Sequence, residues 1–176
     1  MTAVAQADSF EFVALAHPHL PLVARWLREP HVARWYGEGP HEALAHIRAH
    51  IDDRTIDCFL VYHNGRPIGY IQAYDPFAWP DHPYRDQPLG TFGIDQFIGE
   101  RALIGRGLGP RFIDQFVRAC FAAGAPRVVT DPDPSNAAAI RACGKAGFAP
   151  IEERSTPWGR VLLMARDRMP RDGMTG

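Results

Sequence analysis

Apolar positions change period several times along the chain, and each change marks an element. "FEFVAL" (Phe10 to Leu15) alternates as a strand does, and "HLPLVARWLRE" then puts Leu22, Val23, Trp26 and Leu27 on one helical face. "GPHEALAHIRAHI" repeats the helical spacing with Ala43, Leu44, Ile47 and Ile51, after the aromatic pair Trp35 and Tyr36. "CFLVYHNGRPIGYIQAY" holds two β-rich runs joined by Asn64 and Gly65, a pair suited to two-residue hairpin turns that need positive φ. "DPFAWPDHPYRDQPLG" is dense in proline, aromatic and acidic residues and predicts a long surface loop.

Beyond the loop, "TFGIDQFIG" predicts a strand and "ERALIGRGLG" a turn. "PRFIDQFVRACFAAG" predicts a helix with Pro110 at its first position. "RVVTDPDP" is a short buried strand ending in turn residues. "SNAAAIRACGKAGF" is a helix capped by Ser135 or Asn136 and stopped at Gly147. "FAPIEERS" and "RVLLMARDR" flank the tight turn "TPWG". This order describes a mixed α/β sheet with helices on its faces. A single domain is expected over residues 1–176, with its core at about 10–168 and a frayed tail at 169–176.

Composition removes several classes of function. The 19 basic and 20 acidic residues nearly cancel, which leaves no long-range field for nucleic acid or an anionic membrane. Three cysteines, Cys58, Cys120 and Cys143, form an odd set without CxxC spacing, which argues against a disulfide framework or zinc knuckle and fits a reducing cytoplasm. The histidines have no ligand spacing, so no metal is expected. No signal segment or membrane span is legible.

The strongest chemical signal is "IGRGLGP", a glycine-rich turn between a strand and a helix. There backbone N–H groups and the positive end of a helix dipole converge on a point suited to phosphate, with Arg106 and Arg111 adding charge. It lacks the Gly-Lys-Ser/Thr ending of a nucleotide triphosphate loop.

"GRGLGPRFI" after a strand, followed one strand later by "DPDPSNAAAIRACGKAGF", resembles the coenzyme A core of the GNAT acyltransferase superfamily. With "WLREPHVARWYG", "GYIQAY", "GIDQFIGE" and "TDPDPSN", the likeness is to the aminoglycoside 6′-N-acetyltransferases and runs from about Phe10 to Arg166. It implies a mixed, mostly antiparallel twisted sheet with acetyl-CoA in the splay between central strands. The pyrophosphate would sit on Arg106, Gly107, Leu108, Gly109, Pro110 and Arg111, and the pantetheine would run along Phe97 and Ile98 toward Asn136 and Ala139. A main-chain N–H near Ile98 would polarise the thioester carbonyl. Ile104 stands where Gln or Arg is common in the superfamily, and Pro110 brings no N–H, so one phosphate contact is expected to be missing.

By the same likeness Asp95 is the catalytic carboxylate, able to hold an ammonium and accept its proton directly or through water. Trp35, Tyr36, Tyr74, Asp81 and Asp131 are expected on the acceptor side, while Asp133 shapes its turn. The loop also offers Asp75, Asp86, Trp79 and Tyr84. Counting back from "KAGF" puts Cys143 where the family commonly has a tyrosine that protonates the departing thiolate. The shorter side chain favours a non-catalytic thiol at that position.

The expected function is acetyl transfer from acetyl-CoA to the 6′-amine of a polycationic aminosugar. The alternatives are another small primary amine or a siderophore-type hydroxylamine as acceptor, or a non-catalytic coenzyme A binding domain. A monomer and a homodimer are equally compatible with the sequence.

Overall fold

The computed structural model describes residues 9–170, so the N-terminal residues 1–8 and the part of the expected frayed tail from 171 onward lie outside the described residues. Among the described residues seven strands form one sheet in the order β1-β2-β3-β4-β5-β7-β6. They are β1 (Phe10–Ala14), β2 (Asp57–His63), β3 (Arg66–Tyr74), β4 (Phe92–Ile98), β5 (Arg127–Thr130), β6 (Ala149–Thr156) and β7 (Gly159–Asp167). Every pairing is antiparallel except that of β4 with β5. Asn64 and Gly65 both take positive φ in the β2–β3 turn, as their identities predict.

Among the described residues five α-helices cover the sheet: α1 (Leu20–Leu27), α2 (Pro30–Ala33), α3 (Pro40–Asp53), α4 (Leu108–Ala122) and α5 (Ala137–Lys145). Two apolar layers result. Leu108, Phe112, Ile113, Phe116 and Val117 of α4 and Cys143 of α5 pack on Ile71, Ile94, Val128 and Met164. On the opposite face, Val23, Trp26 and Leu27 of α1 join Val32, Ala43 and Ile47 over Leu60 and Tyr70. Edge strand β1 is tied down by Gln115 of α4, whose carboxamide bonds both the N–H and the C=O of Phe10, at 3.1 and 2.7 Å.

Two details differ from the sequence expectation. Helix α4 starts at Leu108, two residues before Pro110, because Gly107 takes a left-handed φ of 74° and turns the chain into the helix one step earlier. Pro110 still falls in the first turn, where an N–H would have no intrahelical acceptor. The loop after β3 is also less superficial than its composition suggests. Tyr84 is fully buried against Val129 and Leu163, and Arg154 of β6 holds the loop through the Pro83 carbonyl at 2.9 Å and the Asp86 carboxylate at 2.5 Å.

Candidate active site

The site begins where the parallel pair comes apart. Strands β4 and β5 share only two rungs, Phe92 with Val128 and Gly93 with Val129, whereas β4 stays paired with β3 as far as Ile98. From Ile94 onward β4 therefore has an edge without a strand neighbour. Gly99 N–H bonds the Ile68 carbonyl of β3 at 2.9 Å, and strand alternation turns the peptide groups of Gln96 and Ile98 the other way, toward the gap. Phe97, by contrast, directs its backbone at β3 and its ring at Tyr70 and Tyr36. Of these two strand residues, only Ile98 presents an N–H to the gap, and its carbonyl accepts the His31 Nε2–H at 2.9 Å.

The glycine-rich turn closes one end of the gap. Gly105 and Gly107 both take positive φ, and Gly109 packs with no side chain against Ile98 and Ala142. The amides of Leu108 and Gly109 precede the first intrahelical bond of α4. Arg106 is exposed, and the Arg111 guanidinium lies 5.3 Å from the centre of the Phe10 ring. Asn136 caps α5 by accepting from Ala139 N–H at 3.1 Å. A free edge of N–H groups, first-turn amides and a glycine cradle suit a thioester arm ending in a pyrophosphate.

At the other end stand two acids. Asp95 and Asp131 each lie two residues beyond the last shared rung, so the two-residue period of a strand sends both to the same face of the sheet. Burial and the Asp131 carboxylate push Asp95 up to about 7, while burial raises Asp131. Both carboxyls are thus held above their ordinary range, so the pair gives up its last proton less readily than two separate acids would. Gln72, directly opposite on β3, donates to Asp95 Oδ2 at 2.8 Å. Asp131 Oδ2 accepts from Tyr84 at 2.5 Å and from Trp158 Nε1 at 2.9 Å.

Aromatic rings surround the pair. Tyr36, Tyr74 and Tyr84 all feel the Asp95 charge, and burial drives their hydroxyls far above the ordinary tyrosine range. Tyr74, Trp79, His82, Tyr84 and Trp158 form a continuous set of ring contacts, with centroids 5.1–6.3 Å apart. Trp35 stands apart from that set and holds the Arg34 guanidinium 4.6 Å above its ring. Asp81 is exposed on the loop. Asp75 caps the turn at Phe77, Asp86 is engaged by Arg154, and Asp133 bonds Ser135 N–H as a turn former.

Cys143 is fully buried, its thiol pushed up to about 11 by burial, and Gln96 Nε2 lies 3.7 Å from its sulfur. Among the described residues no cluster of His, Cys, Asp and Glu could hold a metal ion.

Gln72, His31 and Trp158 were not legible as site residues. Gln72 lies in a strand whose one expected site residue is Tyr74, and Trp158 in a segment whose only signal is a turn. The alternation of β3 against β4 offered the single hint for Gln72.

The model of the acetyltransferase (GNAT) domain matches residues 16–156. The chain belongs to this GNAT family. The aminoglycoside N(6′)-acetyltransferase type 1 of Klebsiella pneumoniae is 29% identical over 92% of this chain and 84% of its own length. The lysine N-acyltransferase MbtK of Mycolicibacterium paratuberculosis is 29% identical over 83% of this chain and 68% of its own. The solved structure of AAC(6′)-Ib with ribostamycin and coenzyme A superposes with a TM-score of 0.83, at 29% identity over 92% of this chain and 94% of that one. This GNAT protein is thus an acetyl-CoA-dependent N-acetyltransferase with the mostly antiparallel sheet of its family. No helix among the described residues is long and apolar enough to cross a membrane.

Proposed function

We propose that this GNAT enzyme acetylates a primary amine, the 6′-amine, of a polycationic aminosugar. The carrying observation is the Asp95–Asp131 pair at the mouth of the β4–β5 gap, two acids whose partners are a carboxamide, a phenol and an indole. The groups that shift Asp95 include no cation, so the acceptor is the natural source of one. The likeness to aminoglycoside acetyltransferases over 92% of the chain supports the same acceptor class.

In this reading the first-turn amides of α4, with Arg106 and Arg111, hold the pyrophosphate, and Asn136 and Ala139 flank the pantetheine arm. Acetyl-CoA supplies the activated acetyl group and a thiol leaving group. Asp131 holds a second ammonium of the acceptor against Tyr84 and Trp158. Asp95, as a carboxylate, takes a proton from the reacting ammonium and frees the lone pair that attacks the thioester carbon. Ile98 N–H stabilises the negative oxygen that develops as the nitrogen–carbon bond forms. As the carbon–sulfur bond breaks, the nitrogen sheds its second proton to solvent water, and the departing thiolate takes one up from water rather than from Cys143. In this reading Tyr36 and Tyr74 wall the pocket, Trp35 and Asp81 add to its acceptor side, and a single domain of either oligomeric state suffices.

The match to lysine N-acyltransferases gives a second reading, with a lysine-like or hydroxylamine acceptor. A thiol-release assay with acetyl-CoA and a panel of kanamycin-like aminoglycosides, polyamines, lysine and hydroxylated ornithine separates the two. Turnover with aminoglycosides is expected, and kcat should fall by about 10² or more in Asp95→Asn. Turnover confined to lysine or hydroxylamine would replace the first reading with the second. Coenzyme A binding without turnover of any amine would remove both.

A further inference from the structure

Asp95 is reached by a chain of side chains that starts deep in the sheet. Cys58 on β2 and Tyr70 on β3 are both buried, and the Tyr70 hydroxyl lies 3.0 Å from Cys58 Sγ and 2.6 Å from Gln72 Oε1. Gln72 Nε2 in turn lies 2.8 Å from Asp95 Oδ2. Tyr70 and Gln72 are two residues apart on β3 and so share a face, and Gln72 is the cross-strand partner of Asp95.

The protons along the chain can be assigned from chemistry. Burial pushes the Cys58 thiol up to about 11 and the Tyr70 hydroxyl well above its usual range, so both groups keep their protons. A phenol has one hydrogen to donate, and the shorter contact is to the carboxamide oxygen. The Cys58 thiol has its own acceptor in the Ile56 carbonyl at 3.7 Å. With its oxygen held by Tyr70, the Gln72 carboxamide has only its N–H side left for Asp95. A flipped carboxamide would set its oxygen against a carboxylate and leave the Tyr70 hydroxyl facing an N–H group.

We propose that Tyr70 is a positioning residue: its buried hydroxyl fixes the orientation of the Gln72 carboxamide, which delivers an N–H donor to the Asp95 carboxylate. The groups around Asp95 otherwise work against an anion. Asp131 faces it from the end of β5, Tyr36 from the segment after α2, Cys58 from β2, Tyr70 and Tyr74 from β3, and Tyr84 from the loop, and none of them is a cation. Gln72 is the one partner that lowers Asp95. Without it the base would hold its proton at neutral pH and could not accept another.

This inference rests on Asp95 being the base of the proposed reaction, so its test includes a measurement independent of turnover. In protein labelled with 13C at the aspartate carboxyls, the resonance missing from Asp95→Asn is followed against pH. Loss of one hydrogen bond to a charged group corresponds to about 1 to 2 pH units. The midpoint should rise by about that much in Gln72→Leu and by roughly half as much in Tyr70→Phe. The double variant should add little to Gln72→Leu, because Tyr70 acts only through the carboxamide. The acid limb of kcat/KM should move upward with the midpoint. An unmoved midpoint in Tyr70→Phe, with the fold intact by urea denaturation, would overturn the positioning role. A moved midpoint, together with full turnover by Asp95→Asn, would leave the positioning role standing and remove Asp95 from the mechanism.

Discussion

Replacing Asp95 by Asn should cost the enzyme its activity and make it more stable at alkaline pH. Asp95 is raised from its ordinary 3.8 to about 7, chiefly by burial and then by Asp131. The folded chain therefore binds this proton more tightly than the unfolded chain does. That contribution to stability is complete below the ordinary carboxylate value and is lost as pH rises through 7. Three pH units at about 1.36 kcal/mol each give roughly 4 kcal/mol for the whole window. Asp95 retains some solvent contact and shares its field with Asp131, which lowers the expectation to about 2 to 3 kcal/mol. Roughly two thirds of it falls between pH 5 and pH 8.

Asn has nearly the same shape and no proton to lose, so it escapes this loss. Relative to the native chain, Asp95→Asn should gain about 1 to 2 kcal/mol on going from pH 5 to pH 8, or roughly 2 to 8 °C in Tm for a chain of this length. Urea denaturation at the two pH values measures the change in the gap and cancels any constant effect of the new carboxamide. A gap that is the same at both pH values, or one that moves against Asn at pH 8, would refute the assignment of a high-lying Asp95. The opposed effects on activity and stability are those expected where function keeps two acids close together.

Cys143→Ala should retain full turnover, because the thiol it removes lies in the core at 0% exposure and holds its proton to about pH 11; its cost should be about 1 to 2 kcal/mol in urea denaturation. A loss of kcat in that variant, partly restored by Cys143→Tyr, would place an acid at this position. Gly99→Ala should destabilise by roughly 1 to 3 kcal/mol, since an added Cβ would overlap the Trp26 indole, which donates to Glu100 at 2.8 Å. A urea midpoint unchanged from the native chain would show that α1 yields to the methyl group.

Local chemistry made most of the architecture legible. Asn64 and Gly65 specify a turn that needs two positive φ values, and apolar periods of two and 3.6 residues distinguish strand from helix, while α4 starts two residues before Pro110, where the sequence alone sets its beginning. The same signals carried the family, because the glycine-rich turn and the capped helix α5 are each a short run contiguous in sequence. Asp95 and Asp131 could be named as candidates on those motifs, yet their relation to each other could not be read there. It depends on β4 and β5 parting after Gly93 and Val129, which sets two acids 36 residues apart on one face of the sheet. The Tyr70–Gln72–Asp95 chain depends on cross-strand register, and the Trp158 bond to Asp131 on a turn folding back over the end of another strand. Among the acids of the proline-rich loop, only tertiary contacts showed that Asp86 is engaged by Arg154. Sequence by itself determined which backbone conformations and buried faces each segment prefers, because those follow from neighbours a few residues away. Tertiary structure alone decided which charges face each other without a counter-ion, because the proton affinity of a carboxyl is set by whatever the fold brings to within a few ångströms of it.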